Sequence, residues 1–181
     1  MIVREATAAD APALAAIYGD AVLHGFGTFE EEPPTPADMD ARRRALQDQG
    51  LPYLVAEEDG RVLGFAYAGP FRPRAAYRYT LEDSVYVAPE AKGKGVGRVV
   101  LTAVVEACEA LGVRQLMAVI GDSQNAGSIG LHRALGFEQT GVGRSVGFKH
   151  GRWVDIVHMQ KPLNGGDTLA PSGPGVTLTG H

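Results

Sequence analysis

One stretch of this sequence combines glycines and cations in a pattern that suits the binding of a phosphorylated ligand. The apolar run Val85-Tyr86-Val87 precedes the loop Lys92-Gly93-Lys94-Gly95-Val96-Gly97-Arg98, where a long helical pattern begins. Glycines let a backbone approach an anion closely, because no Cβ stands in the way. The first turn of a helix points unpaired N–H groups and the positive end of its dipole at the same anion. The loop therefore predicts a binding site for a pyrophosphate group.

The glycine spacing by itself leaves the ligand open. A P-loop requires Gly-x-x-x-x-Gly-Lys and then Ser or Thr, but Gly97 is followed by Arg98 and Val99, so no hydroxyl is placed for magnesium. A dinucleotide fingerprint requires Gly-x-Gly-x-x-Gly, and the third glycine here comes one residue early. A glycine-rich turn without a ligand is the remaining alternative. The three cations of the loop, in an acidic protein, favour an anion site.

Capping and turn signals divide the first half of the sequence into two helices and four strands. Thr7 with Asp10 forms a capping-box pattern ahead of one helix, and Thr35-Pro36 begins the second. Asp59-Gly60 is a strong signal for a type I′ hairpin turn. The predicted strands are residues 2–5, 51–58, 61–71 and 80–87.

The second half contains a strand-loop-helix-strand unit and a terminal hairpin. We predict helices over residues 96–111 and 125–135, a strand over 113–120, and a hairpin that joins 137–148 to 153–161. The order β-α-α-β-β-β-α-β-α-β-β is typical of an α+β fold. It predicts a mixed, twisted, mostly antiparallel sheet flanked by helices, with one right-handed crossover.

The composition predicts one domain and a tail. The chain has 181 residues, of which 45% are hydrophobic and 21% charged, enough for one sizeable core. We expect residues 1–163 to form this domain. Residues 164–181 are rich in Gly, Ser, Pro and Thr, and they cannot bury enough apolar surface to offset their ordering entropy, so we predict a disordered tail.

Charge, cysteine content and hydropathy narrow the classes of function. A net charge of −4 argues against nucleic-acid binding, which normally shows a basic surplus. The single Cys108 excludes an internal disulfide and a cysteine-based metal cluster, and its helical apolar setting favours a buried structural thiol. No metal is predicted. No apolar run is long enough for a signal peptide or a membrane span, so we expect a cytoplasmic protein without a membrane partner.

Several motifs taken together resemble the acetyl-CoA motifs of the GCN5-related N-acetyltransferases (GNAT). They are the strand 85–87, the loop 92–97, Asn125-Ala126-Gly127-Ser128, and Leu131-His132-Arg133-Ala134-Leu135-Gly136-Phe137. The family loop usually begins with Arg or Gln, and Lys92 keeps the charge but lacks the guanidinium fork. The resemblance implies the GNAT fold, in which strands 4 and 5 splay apart, with acetyl-CoA as co-substrate.

Five further motifs resemble the branch of this family that acetylates phosphinothricin and methionine sulfoximine. In order they are Thr28-Phe29-Glu30, Arg72-x-Arg74, Tyr79-Thr80-x-Glu82-x-Ser84-Val85-Tyr86-Val87, Ala118-Val119-Ile120-Gly121, and Gly147-Phe148-Lys149-His150-Gly151-x-Trp153. Separated matches in one order are hard to obtain by chance. They imply that the acceptor is a small amino-acid analogue.

Glu82 is the predicted general base. Strand alternation puts Glu82 and Tyr86 on one face, and Asp83 and Val85 on the other. Acetyl transfer to an amine needs a base that takes the ammonium proton, and desolvation among aromatic neighbours would raise the pKa of this carboxyl. In the related enzymes the glutamate at this position is the proposed base. A solvated strand-edge glutamate is the alternative, and we expect Asp83 to matter less.

The resemblance also implies cofactor contacts and a second catalytic residue. Backbone N–H groups near Val87 could polarise the thioester carbonyl. Asn125 is expected to hydrogen-bond the cofactor arm, although an Asx helix cap is an equally physical role. His132 occupies the position of a tyrosine proposed to protonate the thiolate, and an imidazole can donate or accept a proton; a hydrogen-bonded helix histidine is the alternative. The predicted cofactor-binding residues are Val85, Tyr86, Val87, Lys92, Gly93, Lys94, Gly95, Val96, Gly97, Arg98, Asn125 and Ser128.

Cations and aromatic residues are expected to select the acceptor. Arg72 and Arg74 alternate onto one side of a strand end and could hold a carboxylate or a phosphinate-like oxyanion, with surface arginines as the alternative. The resemblance implies acceptor contacts from the loop between the helices and from the C-terminal hairpin, which reaches the active site at a homodimer interface in related enzymes. An exposed hairpin tip is the alternative. The predicted acceptor-binding residues are Phe29, Arg72, Arg74, Tyr86, Lys149, His150 and Trp153.

Together, these motifs and candidate residues predict acetyl transfer from acetyl-CoA to the α-amino group of methionine sulfoximine, methionine sulfone or phosphinothricin. Direct attack is expected, without a covalent acetyl-enzyme, because Cys108 belongs to an apolar helical face. Acetylation of a protein N-terminus, a polyamine or an aminoglycoside is the alternative, although Arg72 and Arg74 disfavour a polycation. A non-catalytic acetyl-CoA-binding module is a third possibility.

Overall fold

A single seven-stranded sheet organises the chain, in the order β1-β2-β3-β4-β5-β7-β6. The computed structural model describes residues 1–178. All neighbouring strands are antiparallel except β4 and β5, which are parallel. The predicted mixed, mostly antiparallel sheet is therefore confirmed. The strands are β1 (Ile2–Glu5), β2 (Tyr53–Glu58), β3 (Arg61–Pro70), β4 (Thr80–Val87), β5 (Gln115–Gly121), β6 (Glu138–Lys149) and β7 (Arg152–Pro162).

Helices cover both faces of this sheet. They are α1 (Ala11–His24), α2 (Pro36–Gln47), α3 (Val96–Ala110) and α4 (Ala126–Ala134), with short 3₁₀ turns at Ala8–Asp10, Ala75–Tyr77 and Pro89–Ala91. On one face Tyr18 of α1 meets Tyr86 of β4, with ring centroids 4.7 Å apart. On the other face α3 packs close to Val85 and Val87 through Gly97. The core side chains that are fully buried include Leu14, Val22, Tyr53, Phe65, Leu101, Leu116 and Met159.

The predicted capping boxes and hairpin turn form at the residues where the sequence places them, but the first helix begins later than predicted. The Thr35 hydroxyl accepts from the Asp38 backbone N–H at 3.2 Å, and the Asp38 carboxylate accepts from the Thr35 N–H at 2.8 Å, a capping box that begins α2. Asp59 and Gly60 have φ angles of 51° and 75°, as a type I′ turn requires. The capping box at Thr7 instead begins the 3₁₀ turn Ala8–Asp10, so α1 begins only at Ala11.

Strands β4 and β5 part midway along their length. Their parallel pairing runs from Thr80↔Gln115 to Asp83↔Ala118 and then stops. Beyond that point β4 stays paired with β3 as far as Val87↔Gly64, and β5 stays paired with β7 as far as Gly121↔Ile156. The sheet therefore contains a wedge-shaped gap between its two central strands, as the resemblance implied.

Residues 164–178 form no helix or strand, and part of this segment lies against the residues just before β4. The Tyr79 hydroxyl donates to the Gly173 carbonyl at 2.7 Å, and the Val176 N–H donates to the Arg78 carbonyl at 2.8 Å. Disorder over 164–181 stays a prediction, and its last three residues lie outside the described part. Within residues 1–178, no helix is long and apolar enough to cross a membrane.

Candidate active site

The gap between β4 and β5 opens into a cleft of about 350 Å³. Its walls are residues 83–87 of β4, residues 118–121 of β5, the first turns of α4, and the end of α1 with the loop that follows it. The cleft thus lies where two strands diverge and two helices approach. The predicted residues that line it are Val85, Tyr86, Val87, Lys92, Asn125, Ser128 and His132.

Backbone groups of β4 face this gap without a strand partner. The Ala88 N–H donates to the Leu63 carbonyl at 2.9 Å, which fixes the alternation of the antiparallel β3–β4 pair. Residues opposite each other alternate between hydrogen-bonded and non-bonded pairs in such a ladder. The N–H and C=O groups of Val85 and Val87 therefore point away from β3, and β5 has already diverged from them. They are free to bind a ligand in the cleft.

The glycine loop forms an open seat at the start of α3. Gly93 and Gly95 have φ angles of 77° and 81°, and apart from their chain neighbours no heavy atom of residues 1–178 lies within 4 Å of where a Cβ would stand on either. In the described part of the chain no side chain caps the N-terminus of α3, so the N–H groups of its first turn remain available. Lys92 and Arg98 are exposed beside them. This geometry suits an anion, and binding of a pyrophosphate here stays a prediction.

Asn125 joins the end of β5 to the start of α4. Its side-chain Oδ1 accepts from the Ser128 N–H at 3.1 Å, and its Nδ2 donates to the Gly121 carbonyl at 3.1 Å. The Asx cap and the position in the cleft wall therefore coexist. This cap fixes the direction in which α4 leaves the cleft, and it places Ser128 and His132 on the cleft side.

Both ring nitrogens of His132 are engaged. Nδ1 lies 2.8 Å from the Ser128 carbonyl, and Nε2 lies 2.9 Å from Asp83 Oδ1. The side chains of His132 and Asp83 are only 3% and 1% exposed. Burial raises the pKa of the Asp83 carboxyl, while the hydrogen bond from His132 opposes that rise. Burial lowers the pKa of His132, but the hydrogen bond and charge of Asp83 outweigh burial and raise it.

Sequence reasoning missed Asp83, which was expected to matter less than Glu82. Its signal was present in the alternation of β4, because Asp83 shares a strand face with Val85 and Val87. A carboxyl group on an apolar face needs a buried partner. Only the fold shows that the partner is His132, which is 49 residues away along the chain.

Glu82 lies on the opposite face of β4, as strand alternation predicted. Burial raises the pKa of its carboxyl, and the positive charge of Arg72 opposes the rise. Arg72 Nη1 is 3.9 Å from Glu82 Oε2, and its guanidinium also stacks on Phe71 at 4.3 Å from the ring centroid. Arg74 is exposed at the start of the 3₁₀ turn Ala75–Tyr77. Because β3 ends at Pro70, both arginines lie in the loop after the strand, and the predicted alternation along a strand end is wrong.

Close packing and hydrogen bonds hold the loop between α1 and α2 in place beside the cleft. The Phe29 ring lies against the backbone of Gly147 in β6, where an added Cβ would come within 2.3 Å of the ring. Lys149, predicted as an acceptor contact at the hairpin tip, is instead buried, and its Nζ donates to the Thr28 carbonyl at 2.8 Å. The Tyr18 hydroxyl bonds Thr28 Oγ1 at 2.8 Å and Glu30 at 2.9 Å. These contacts hold Phe29 beside the end of β5.

The hairpin tip presents its remaining aromatic residues to the outside. Trp153 and Phe148 are 62% and 58% exposed, and their rings meet edge to face at 5.3 Å. His150 lies edge-on to Phe26, and the Arg152 guanidinium stacks over the same ring at 3.9 Å. Neither His150 nor Trp153 lines the cleft of this single chain.

Comparisons with known proteins show that this chain is similar to acetyltransferases. A model of the acetyltransferase (GNAT) family matches residues 19–137. A phosphinothricin N-acetyltransferase of Alcaligenes faecalis is 57% identical over 162 residues, covering 90% of this chain and 82% of that protein. An L-methionine sulfoximine/L-methionine sulfone acetyltransferase of Pseudomonas aeruginosa is 45% identical over 167 residues, covering 90% and 94%.

A solved structure shares the fold closely. It is a GNAT superfamily phosphinothricin acetyltransferase from Sinorhizobium meliloti in complex with AcCoA. It has a TM-score of 0.91 and 48% sequence identity, and the match covers 94% of this chain and 92% of that one.

The buried Lys149 predicts a measurable contribution to stability. Lys149→Met keeps most of the apolar stem but removes the hydrogen bond to Thr28, and it leaves that carbonyl without its partner. We expect the free energy of unfolding to fall by about 1–3 kcal/mol, measured by urea denaturation. Lys94→Met, at an exposed position, is the matched control and should change it by less than about 0.5 kcal/mol. Equal effects of both substitutions on the free energy of unfolding would show that the buried Lys149–Thr28 hydrogen bond does not stabilise the fold.

Proposed function

This chain belongs to the acetyltransferase (GNAT) family, and from that membership we propose that it transfers an acetyl group from acetyl-CoA to the α-amino group of a small amino-acid analogue. Phosphinothricin, methionine sulfoximine and methionine sulfone are the proposed acceptors. The observation that carries this proposal is the 57% identity over 162 residues with a phosphinothricin N-acetyltransferase. The backbone groups and side chains that line the cleft also support it.

The residues of the cleft fit acetyl-CoA. The glycine loop offers an open anion seat with unpaired N–H groups at the start of α3, suited to a pyrophosphate. Val85 and Val87 offer unpaired backbone groups along β4, suited to the amide-bearing arm of the same molecule. When bound, acetyl-CoA would supply an acyl group activated as a thioester. The Val85 and Val87 N–H groups are the donors available to polarise its carbonyl.

Glu82 is the proposed general base. Its carboxyl lies on the same face of β4 as Ser84 and Tyr86, which line the cleft. Burial raises the pKa of Glu82, and a higher pKa makes a carboxylate a better acceptor for an ammonium proton near neutral pH. Arg72 beside it is the proposed ligand for the carboxylate or oxyanion of the acceptor, together with Arg74, Phe29 and Tyr86.

Direct transfer is proposed, because the chain offers no thiolate for a covalent acetyl-enzyme. Cys108 is fully buried in α3, and burial raises the pKa of its thiol to about 12. The nucleophile of a thiol reaction is the thiolate, so this group is unreactive at neutral pH.

Glu82→Gln tests the base assignment. The glutamine keeps the shape of the side chain but cannot take a proton, so kcat at saturating acetyl-CoA should fall about 10²- to 10⁴-fold. The measurement is release of free CoA thiol with phosphinothricin, methionine sulfoximine and methionine sulfone as acceptors. Glu106→Gln, exposed on α3, is the matched control.

Each alternative gives a different result in the same assay. Near-normal turnover by Glu82→Gln would remove Glu82 from the mechanism. Thiol release with polyamines or peptides but not with the three analogues would replace the proposed acceptor. Cofactor binding without thiol release with any amine would support a non-catalytic module.

Arg72 allows a test based on pH. The Arg72 charge lowers the pKa of Glu82 against the larger effect of burial, so Arg72→Gln should raise that pKa further. The base form is then lost at higher pH, and the acidic limb of the kcat/KM profile should move to higher pH. Arg74→Gln is the matched control, and its limb should stay in place whatever its effect on KM. An equal shift of the acidic limb in both variants would show that the charge of Arg72 has no specific effect on the pKa of Glu82.

A homodimer built on the terminal hairpin is proposed as the assembly. Val146, Phe148 and Trp153 form an exposed apolar group on β6 and β7, and exposed patches of this kind mark interaction sites. Dimer formation would also bring the hairpin tip of one chain towards the site of another, as the resemblance implies.

The double substitution Phe148→Ser and Trp153→Ser tests this assembly. The wild type, whose chain has a mass of 19.1 kDa, should sediment as a dimer, and the variant should sediment as a monomer, because the substitutions remove the apolar contact area. Leu111→Ser, which changes an exposed apolar residue at the end of α3, is the control and should remain dimeric. A monomeric wild type, or a dimer that only Leu111→Ser disrupts, would refute the proposed interface.

A further inference from the structure

Residues 173–176, which we call the C-terminal strap, lie against the two residues that precede β4. The Tyr79 hydroxyl donates to the Gly173 carbonyl at 2.7 Å, and the Val176 N–H donates to the Arg78 carbonyl at 2.8 Å. The side chain of Val176 also packs against the hydrophobic core. The cleft lies at the opposite, carboxyl end of β4, so the strap and the proposed cofactor site are separate.

The strap fits this place through one glycine. Gly175 has a φ angle of 77°, which residues with a side chain rarely adopt. A Cβ on Gly175 would lie 2.7 Å from the Arg78 carbonyl oxygen and 3.0 Å from the Tyr79 ring. Gly173 has no positive φ angle, and apart from its chain neighbours no heavy atom of residues 1–178 lies within 4 Å of where its Cβ would stand. The contact therefore requires a glycine at 175 but not at 173.

The chain before and within the strap is restricted in ways that reduce the entropy lost when it binds. Pro171 and Pro174 fix their own φ angles and so leave the free segment fewer conformations. The Arg114 guanidinium donates to the carbonyls of Leu169 and Ala170 at 2.7 and 3.4 Å. These features oppose the disorder that the composition predicts for this segment.

The residues that the strap contacts form the base of the loop between β3 and β4. The Arg78 guanidinium and the Arg78 N–H both donate to the Ala75 carbonyl, at 3.0 and 3.2 Å, and so close a 3₁₀ turn. The Tyr77 ring of this turn meets the Phe71 ring edge to face at 5.7 Å. The Arg72 guanidinium in turn stacks on the Phe71 ring. A continuous series of contacts therefore joins the strap to Arg72.

Arg72 has little else to fix its orientation. Its side chain is 51% exposed, and its nearest carboxylate oxygen, on Glu82, is 3.9 Å away. A partly exposed ion pair of this length holds a long side chain weakly. The direction of the guanidinium thus depends on how firmly the loop itself is held.

We propose that the C-terminal strap positions the β3–β4 loop, and through this loop holds Arg72 in the orientation that binds the negatively charged group of the acceptor. The inference rests on the proposed function, in which Arg72 is a ligand of the acceptor. The strap itself contacts no reacting atom, so its role is positioning. Its release should weaken acceptor binding and leave acetyl-CoA binding unchanged, because the cleft lies at the other end of β4.

Gly175→Ala displaces the strap, and Gly173→Ala is its matched control. Both add one methyl group to the same segment and restrict the unfolded chain alike, but only the first meets Arg78 and Tyr79. With phosphinothricin as acceptor, Gly175→Ala should raise the acceptor KM about three- to tenfold, because the freed side chain must be ordered on binding. The acetyl-CoA KM and kcat should stay within about twofold, and Gly173→Ala should match the wild type. Equal changes in both KM values, or in both variants, would contradict a positioning role.

The Arg72→Gln background tests whether the strap acts through Arg72. There Gly175→Ala should raise the acceptor KM by less than about 1.5-fold, because the side chain through which it acts is gone. The same rise in both backgrounds would refute the link between the strap and Arg72.

Hydrogen exchange of the full chain, followed by NMR without substrate, measures the strap directly. In the wild type and in Gly173→Ala, the Val176 N–H should exchange at least about tenfold more slowly than in an unstructured peptide. In Gly175→Ala this protection should be lost, and the Tyr77 N–H, which donates to the Arg74 carbonyl at 2.9 Å, should exchange faster. An unprotected Val176 in the wild type would support the predicted disorder and overturn the proposal. Protection retained in Gly175→Ala, or an unchanged acceptor KM once protection is lost, would overturn it too.

The two proposals fail in distinguishable ways. Absence of acetyl transfer to any of the three analogues by the wild type would refute the proposed function, whereas exchange at Val176 and Tyr77 would still decide whether the strap holds the loop. Thermal unfolding checks the fold of both glycine variants. If Gly175→Ala does not fold, Tyr79→Phe, which removes only the hydrogen bond to the Gly173 carbonyl, replaces it with the same expected direction of change.

Discussion

The early separation of β4 and β5 is the constraint on which the rest of this structure depends. Two central strands of a sheet normally satisfy each other's backbone groups along their whole length. Here each keeps its outer neighbour while the inner pairing stops after Asp83↔Ala118. The gap leaves the N–H and C=O groups of Val85 and Val87 without strand partners. Those unpaired groups, and the space between the strands, suit the cleft for the binding proposed above.

Contacts between separate segments of the chain hold the walls of this gap in place. Asn125 bridges the end of β5 to α4, and the Asp83–His132 pair ties α4 back to β4. At the entrance, Lys149 and Gly147 fix the loop that carries Phe29. The Asp83–His132 and Lys149–Thr28 hydrogen bonds are buried, and the loss of a buried hydrogen bond costs more than the loss of an exposed one. The mobility of the walls is thereby limited without filling the cleft.

Neighbouring carboxyl groups on β4 show how a strand separates two chemical environments. Glu82 and Asp83 are adjacent in sequence, but their side chains leave opposite faces of the sheet. Burial raises the pKa of both carboxyls, yet Glu82 has the partly exposed Arg72 as its only cation within salt-bridge distance among the described residues, whereas Asp83 is enclosed with His132. Two adjacent carboxyl groups therefore stand in different environments, although the charge of Asp83 still raises the pKa of Glu82.

The sequence by itself determined the local features of this protein. The capping box at Thr35, the Asp59-Gly60 turn, the glycine loop at the start of α3 and the face occupied by Glu82 all follow from residue types within a few positions of one another. The resemblance to a known family added the parting of the central strands. What only the tertiary structure decided are contacts between distant segments. Lys149 binds a carbonyl 121 residues away, and His132 meets Asp83 across 49 residues. Periodicity shows which face a side chain occupies, but the partner that it meets there depends on how the whole sheet and its helices pack.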